Sequence, residues 1–139
     1  MAQMTDEAFA RAFENGSVAP GDFDHLAHVR VAWVYLWEAA STEDALPRMR
    51  QAIRRFAEAA GVSHKYHETI TVLWMRLLAG VKARGATGEL AEVLHAYPAL
   101  ADKELPLHYY SREVLFSEEA RARWIEPDCR PLDPEILRR

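Results

Sequence analysis

Asp24-His25-Leu26-Ala27-His28-Val29-Arg30-Val31-Ala32-Trp33-Val34-Tyr35-Leu36-Trp37-Glu38-Ala39-Ala40 is the stretch on which the fold turns. Asp24 suits a helix N-cap, because a short carboxylate can accept from the first free backbone N–H groups. His25, His28, Val29, Ala32, Tyr35 and Leu36 then recur at the i, i+3, i+4, i+7 spacing of a single helical face, which predicts a helix through Ala39 or Ala40. The two histidines stand at the N-terminal end of a face that is apolar further along. Solubility alone does not require that placement.

The chain on either side follows the same pattern. Thr5 caps a short helix to about Glu14, closed by Asn15-Gly16, and residues 16–23, with Gly16, Pro20 and Gly21, form a loop. Ser41 or Thr42 starts a third helix whose buried stripe is Ala45, Met49, Ala52, Ile53 and Phe56, with Gly61 as its stop. Pro47 either delays the regular part of that helix or kinks it mildly. Ser63 caps a long helix from His64 to about Lys82, with His64, His67, Glu68, Thr71, Trp74 or Met75, and Leu78 on one stripe. After the break at 85–88, Glu89 to Tyr97 forms a shorter helix ended by Pro98. Two more short helices fall near 107–116 and 118–125, the second capped by Ser117. No strand alternation and no repeat is visible. The expected fold is all-α: a single-domain helical bundle of four to six helices over 1–139, with 126–139 as an extended Pro-rich tail.

The 139 residues suffice for one domain with a real core, and half of them are apolar. A net charge of −4 argues against nucleic acid as a partner, since phosphate binding needs a concentrated basic surface. Arg48, Arg50, Arg54 and Arg55 read as a solvated helix face. No apolar run reaches the ~20 residues of a membrane span, and the N-terminus lacks the pattern of a signal peptide. Cys129, the single cysteine, excludes an internal disulfide and suits a reducing compartment. The expected location is the cytoplasm, with no membrane partner. Trp33 and Trp37 point away from the histidine stripe, which makes a homo-oligomer contact one expectation. Trp33, Tyr35, Trp37, Tyr66, Trp74, Tyr97, Tyr109 and Tyr110 could wall a small-molecule pocket, or fill the core or a dimer interface.

His25-x-x-His28 and His64-x-x-His67 share a spacing that puts both imidazoles of a pair on one helix face. Imidazole is the commonest protein ligand for zinc, copper, iron and nickel. A helix of about eighteen residues rises roughly 27 Å, enough to return the chain to the same end of a bundle and bring the pairs together. His67-Glu68 also matches the start of the zinc-protease motif H-E-x-x-H, but Thr71 occupies its fifth position, so that motif is incomplete. His95 and His108 stand alone and read as structural or rim residues.

The segments Phe23-Asp24-His25-Leu26-Ala27-His28 and Lys65-Tyr66-His67-Glu68-Thr69-Ile70-Thr71 resemble a pattern in small, uncharacterised bacterial helical proteins. There, F-x-H-x-x-H is followed some forty residues on by (K/R)-Y-H-E-T-x-T. The stretches Ser117-x-x-Ala120-Arg121 and Glu126-Pro127-Asp128 are similar too. The resemblance covers most of the chain and implies His25, His28, His67 and Glu68 as the site rather than His64. It implies no reaction.

Two functional expectations stand side by side. In the first, His25, His28 and His67 hold a divalent transition metal (zinc, iron, copper or nickel). Glu68 is then a fourth ligand or the general base for a bound water, and the protein is a metalloenzyme acting on a small molecule as a hydrolase or a non-haem oxygenase. In the second, the protein is a non-catalytic small-molecule-binding or oligomeric interaction module whose histidines and aromatics line a pocket.

Overall fold

The computed structural model describes residues 4–132; residues 133–139 of the expected tail lie outside the described part. The helices in chain order are α1 (Asp6–Glu14), α2 (His25–Glu38), α3 (Thr42–Ala59), α4 (Glu68–Ala83), α5 (Leu90–Ala96), α6 (Pro106–Tyr109), α7 (Arg112–Leu115) and α8 (Glu118–Ala122). Short 3-10 turns occur at Pro20–Asp22, Ser63–Lys65 and Pro98–Ala101, and no strand occurs among the described residues. The class is all-α, as the periodicity requires. Eight helices occur among the described residues where four to six were expected: the short segments after residue 85 form separate helices, and the one expected near 107–116 is split in two. Tyr110 is extended (φ −125°, ψ 144°), and Ser111 starts a new turn by accepting from the Val114 N–H.

Local caps set most of the other boundaries. Thr5 accepts from Ala8, Asp24 from Ala27, Ser41 from Asp44 and Ser117 from Ala120, so each helix start satisfies a donor that would otherwise be orphaned. Gly61 takes φ 73° just beyond α3, a left-handed conformation that costs glycine nothing. α3 runs unbroken through Pro47.

α2 and α4 form the centre of the molecule. α2 packs on α1, α3 and α4, while α4 packs on α2, α3 and α8. Both helices are apolar around most of their circumference, as buried helices must be. Val29, Val31, Ala32, Trp33, Tyr35 and Leu36 are buried on α2, and Leu73, Trp74, Met75, Leu77, Leu78 and Val81 on α4. α3 is amphipathic: Ala45 and Met49 are fully buried, and Ala52, Ile53 and Phe56 pack against the core more shallowly. The Trp33 indole N–H donates to the Gly88 carbonyl at 2.9 Å, so this ring serves the core. Trp37 is 45% exposed, with the Lys82 ammonium over its ring.

The C-terminal segment is strapped down as far as it is described. The Tyr110 hydroxyl donates to the Ile125 carbonyl, the Ser111 N–H to Asp128 Oδ1, and the Cys129 N–H to the Tyr109 carbonyl. Among the described residues, no helix is long and apolar enough to cross a membrane.

Candidate functional site

The long helix expected from His64 begins four residues later, at Glu68. Ser63, His64 and Lys65 form a separate 3-10 turn, and Tyr66 (ψ 138°) and His67 (φ −135°, ψ 109°) are extended. His64 and His67 therefore do not share a helical face. His64 is exposed, and its backbone carbonyl accepts from Arg121. His95 and His108 are exposed as well.

His67 is the cap of α4. Its Nδ1 accepts from the Ile70 N–H at 3.1 Å, which places the ring proton on Nε2. That Nε2 donates to the Leu115 carbonyl at 2.6 Å. Both ring nitrogens are thus engaged by backbone, and neither presents a free lone pair. Burial pushes the His67 pKa down, partly opposed by the bond to Leu115. The ring is therefore neutral at neutral pH.

Glu68 is buried beside it and is also committed. Arg50 reaches both carboxylate oxygens, with Nε 2.9 Å from Oε1 and Nη2 2.6 Å from Oε2. The Tyr66 hydroxyl donates to Oε1 at 2.5 Å. Burial alone would raise the pKa of Glu68, but the donors from Arg50 and Tyr66 outweigh it and hold the carboxyl below its usual range. An ionised carboxylate with its lone pairs occupied is a weak base. Tyr66 is pushed up to about 12 by burial and by Glu68, and the Arg54 guanidinium lies 4.6 Å from its ring centre.

The two threonines of the same motif bind backbone. Thr69 donates to the Arg123 carbonyl at 2.7 Å and accepts from the Ile125 N–H at 3.1 Å. Thr71 donates to the His67 carbonyl at 2.9 Å. The run Tyr66-His67-Glu68-Thr69-Ile70-Thr71 thus ties the start of α4 to α3, to α7 and to the chain after α8.

The first histidine pair differs. His25 Nε2 lies 2.8 Å from the Leu100 carbonyl, and the ring packs against Trp74 with centroids 4.6 Å apart and planes tilted by 54°. A carbonyl only accepts, so His25 carries its proton on Nε2. His28 stands edge-on to Phe23, and burial, with a smaller contribution from His25, pushes its pKa to about 4. Of the four residues singled out in the sequence, His25 is held by Leu100, His67 by Ile70 and Leu115, and Glu68 by Arg50 and Tyr66. His28 packs on Phe23. Among the described residues, no three His, Cys, Asp or Glu side chains are grouped so as to hold a metal ion.

A cleft of about 540 Å³ opens elsewhere, between the end of α1, α2 and α3. Phe13, Ala52 and Phe56 supply its apolar wall, and Tyr35, Arg48, Gln51 and Arg55 its polar groups. Glu14 lies at its edge in a closed ion network. The Tyr35 hydroxyl donates to Glu14 Oε2 at 2.6 Å, and Arg11 and Arg48 each bridge Glu14 and Glu38. Arg48 also stacks 4.1 Å from the centre of the Tyr35 ring. Gln51 and Arg55 make no hydrogen bond or ion pair among the described residues. A second hollow of similar volume contains Phe9, Leu26 and Leu94, but its cation, Arg30, is already paired with Asp6 at 2.6 Å.

No family model, curated protein or solved structure matches this chain.

The arginines of α3 carried more than a solvated face. Arg48 and Arg50 close ion pairs and Arg54 covers an aromatic ring, which leaves Arg55 as the uncommitted cation of the cleft. The signal for the cleft was the spacing of Arg48, Gln51 and Arg55, three and four apart, alongside Ala52, Phe56 and Ala59. That spacing defines a helix face with a polar and an apolar half. What it lacked was the opposing wall, which α1 supplies with Phe13.

Proposed function

We propose that the protein is a non-catalytic small-molecule-binding module and that the cleft between α1, α2 and α3 is its site. The observation that carries this is a cleft of about 540 Å³ with an aromatic wall and two polar side chains, Gln51 and Arg55, that have no hydrogen-bond or ion-pair partner among the described residues. Ligand sites commonly have this size and this combination of apolar walls with a few polar groups. The titratable groups around the cleft favour binding over proton transfer. Glu14 is tied to Tyr35, Arg11 and Arg48, and its pKa is lowered because those partners outweigh burial. Tyr35 is pushed well above its ordinary value, first by burial and then by Glu14, and keeps its proton.

The metalloenzyme alternative needs a different arrangement of the same chain. For His25, His28, His67 and Glu68 to hold a divalent metal, His67 must give up Ile70 or Leu115, and Glu68 must give up Arg50 and Tyr66. Those exchanges leave a backbone group and the partly exposed Arg50 guanidinium without their partners, so the metal would have to supply the compensation.

Two measurements on untagged protein separate the proposals. Protein-observed 15N NMR with a mixed fragment library is expected to find binders whose shift changes map to the residues around Phe13, Gln51 and Phe56. Elemental analysis after reconstitution is expected to find less than about a tenth of an equivalent of zinc, iron, copper or nickel. One equivalent of metal, lost in His67→Ala and in Glu68→Gln while both variants stay folded, would overturn the binding-module proposal.

A further inference from the structure

We infer that the ligand of the α1–α2–α3 cleft is a small monocarboxylate with an apolar, ring-containing body. This inference rests on the binding-module proposal and adds the chemical class. Its first support is charge. Arg11, Arg48, Glu14 and Glu38 form a closed set of two cations and two anions, joined by contacts of 2.8–3.3 Å, and so cancel one another. Arg55 then leaves the cleft with one uncompensated positive charge. One guanidinium with its full set of N–H donors suits one carboxylate, which it can grip with two parallel hydrogen bonds.

Gln51 stands one turn before Arg55 on the same face of α3, and its amide, without a hydrogen bond among the described residues, can donate to the same carboxylate or accept from a neighbouring hydroxyl. The uncommitted donors fix the orientation: the carboxylate belongs on the α3 side, at Gln51 and Arg55. The C-terminal ends of both α1 (Asn15, Gly16) and α3 (Ala59) border the cleft, so neither dipole favours an anion on its own side. The apolar body lies toward Ala52 and the half-buried Phe56; Phe13 backs this wall but is itself buried and stacked on Phe23 at 4.5 Å. An aromatic side chain such as Phe56 at the wall favours a flat ring. A second carboxylate would meet Glu14, which is why the class is a monoanion.

The probes are 4-phenylbutanoate and its neutral amide, titrated into 15N-labelled protein to about 5 mM, a range that reaches fragment affinities. The carboxylate is expected to give saturable shifts at residues 13–16 and 51–56, with the amide at least about fivefold weaker. Arg55→Gln is expected to weaken the carboxylate about fivefold to tenfold and leave the amide unchanged. Arg55 is exposed and its side chain makes no hydrogen bond or ion pair among the described residues, so this variant should fold normally. Ala59→Trp, a bulky change at an exposed position lining the cleft, is expected to abolish both titrations. Equal binding of amide and carboxylate, or indifference of the carboxylate to Arg55→Gln, overturns the monocarboxylate inference and leaves the binding module standing. No shift in the cleft from these probes overturns the inference. If the mixed fragment library is also silent there, the binding-module proposal falls with it.

Discussion

His67 Nε2 donates to the carbonyl oxygen of Leu115, forty-eight residues further along the chain, over 2.6 Å. The same ring accepts from the Ile70 N–H, so one imidazole both starts α4 and anchors α7 to it. His67→Ala removes the cap and leaves a buried carbonyl unsatisfied. The expected cost is about 2–4 kcal/mol, the sum of a lost N-cap and an orphaned buried acceptor. His67→Asn keeps a side-chain oxygen able to cap but is too short to reach Leu115, and is expected to cost roughly half as much. Urea unfolding at constant m-value measures both. Equal losses for Ala and Asn would show that the cap contributes nothing.

The Arg50–Glu68 pair makes a second prediction. Glu68 is buried, and its two oxygens accept from Arg50 at 2.6–3.1 Å. Arg50→Met strands a buried carboxylate and is expected to destabilise by about 2–4 kcal/mol, somewhat below a fully buried pair because Arg50 is partly exposed. Replacing both partners, with Arg50→Met and Glu68→Leu together, is expected to recover at least about 1 kcal/mol relative to the sum of the single changes. Additive single effects in a double-mutant cycle would mean that the contact carries no coupling.

The boundaries legible in the sequence were those decided within one turn. Asp24 before His25 and Ser41 before Thr42 cap their own third residue on, and no distant group competes with them. The start of α4 was different. Ser63 and His67 were both able to cap, and the choice fell to His67 through Arg50 on α3 and the Leu115 carbonyl. A backbone carbonyl arriving from elsewhere has no side chain to announce it, so neither that bond nor the one from His25 to Leu100 could be read beforehand. The paired H-x-x-H spacing therefore suggested a convergence of imidazoles, whereas the folded chain gives each of these two rings a backbone partner. The cleft was half visible, since α3 displays Arg48, Gln51 and Arg55 at helical spacing. Its other wall depends on where α1 packs.

Thr69 fixes the C-terminal segment, donating to the Arg123 carbonyl and accepting from the Ile125 N–H. Thr69→Val is nearly isosteric but removes the hydroxyl, leaving a donor and an acceptor without their partner. The expected destabilisation is about 1–3 kcal/mol, with faster amide exchange at residues 123–129 and little change in α2. Hydrogen-exchange mass spectrometry reads both regions at once. Uniformly faster exchange across the chain would mean that Thr69 acts on global stability and does not hold the strap in particular.

His28 gives the fold a dependence on pH whose sign is set by its surroundings. Burial, with a smaller contribution from His25, moves its folded pKa to about 4, whereas an unfolded histidine titrates near 6.5. Above about pH 6.5 both states are neutral at this residue, and its contribution to stability is fully present. As the pH falls below that value the unfolded chain binds a proton that the folded chain refuses, so stability declines until about pH 4 and then levels at this site. The slope approaches 1.4 kcal/mol per pH unit, and the total is roughly 2–3 kcal/mol after allowance for solvent access. His67, also pushed down by burial, adds loss of the same sign, and Glu68, held below the usual carboxylate range, adds its own only at more acid pH. His28→Leu is expected to unfold at a urea midpoint close to the parent at pH 7 and to fall less steeply between pH 6.5 and 4.5, with the residual slope owed to His67. Parallel slopes for the parent and the variant would show that His28 is solvated and titrates alike in both states.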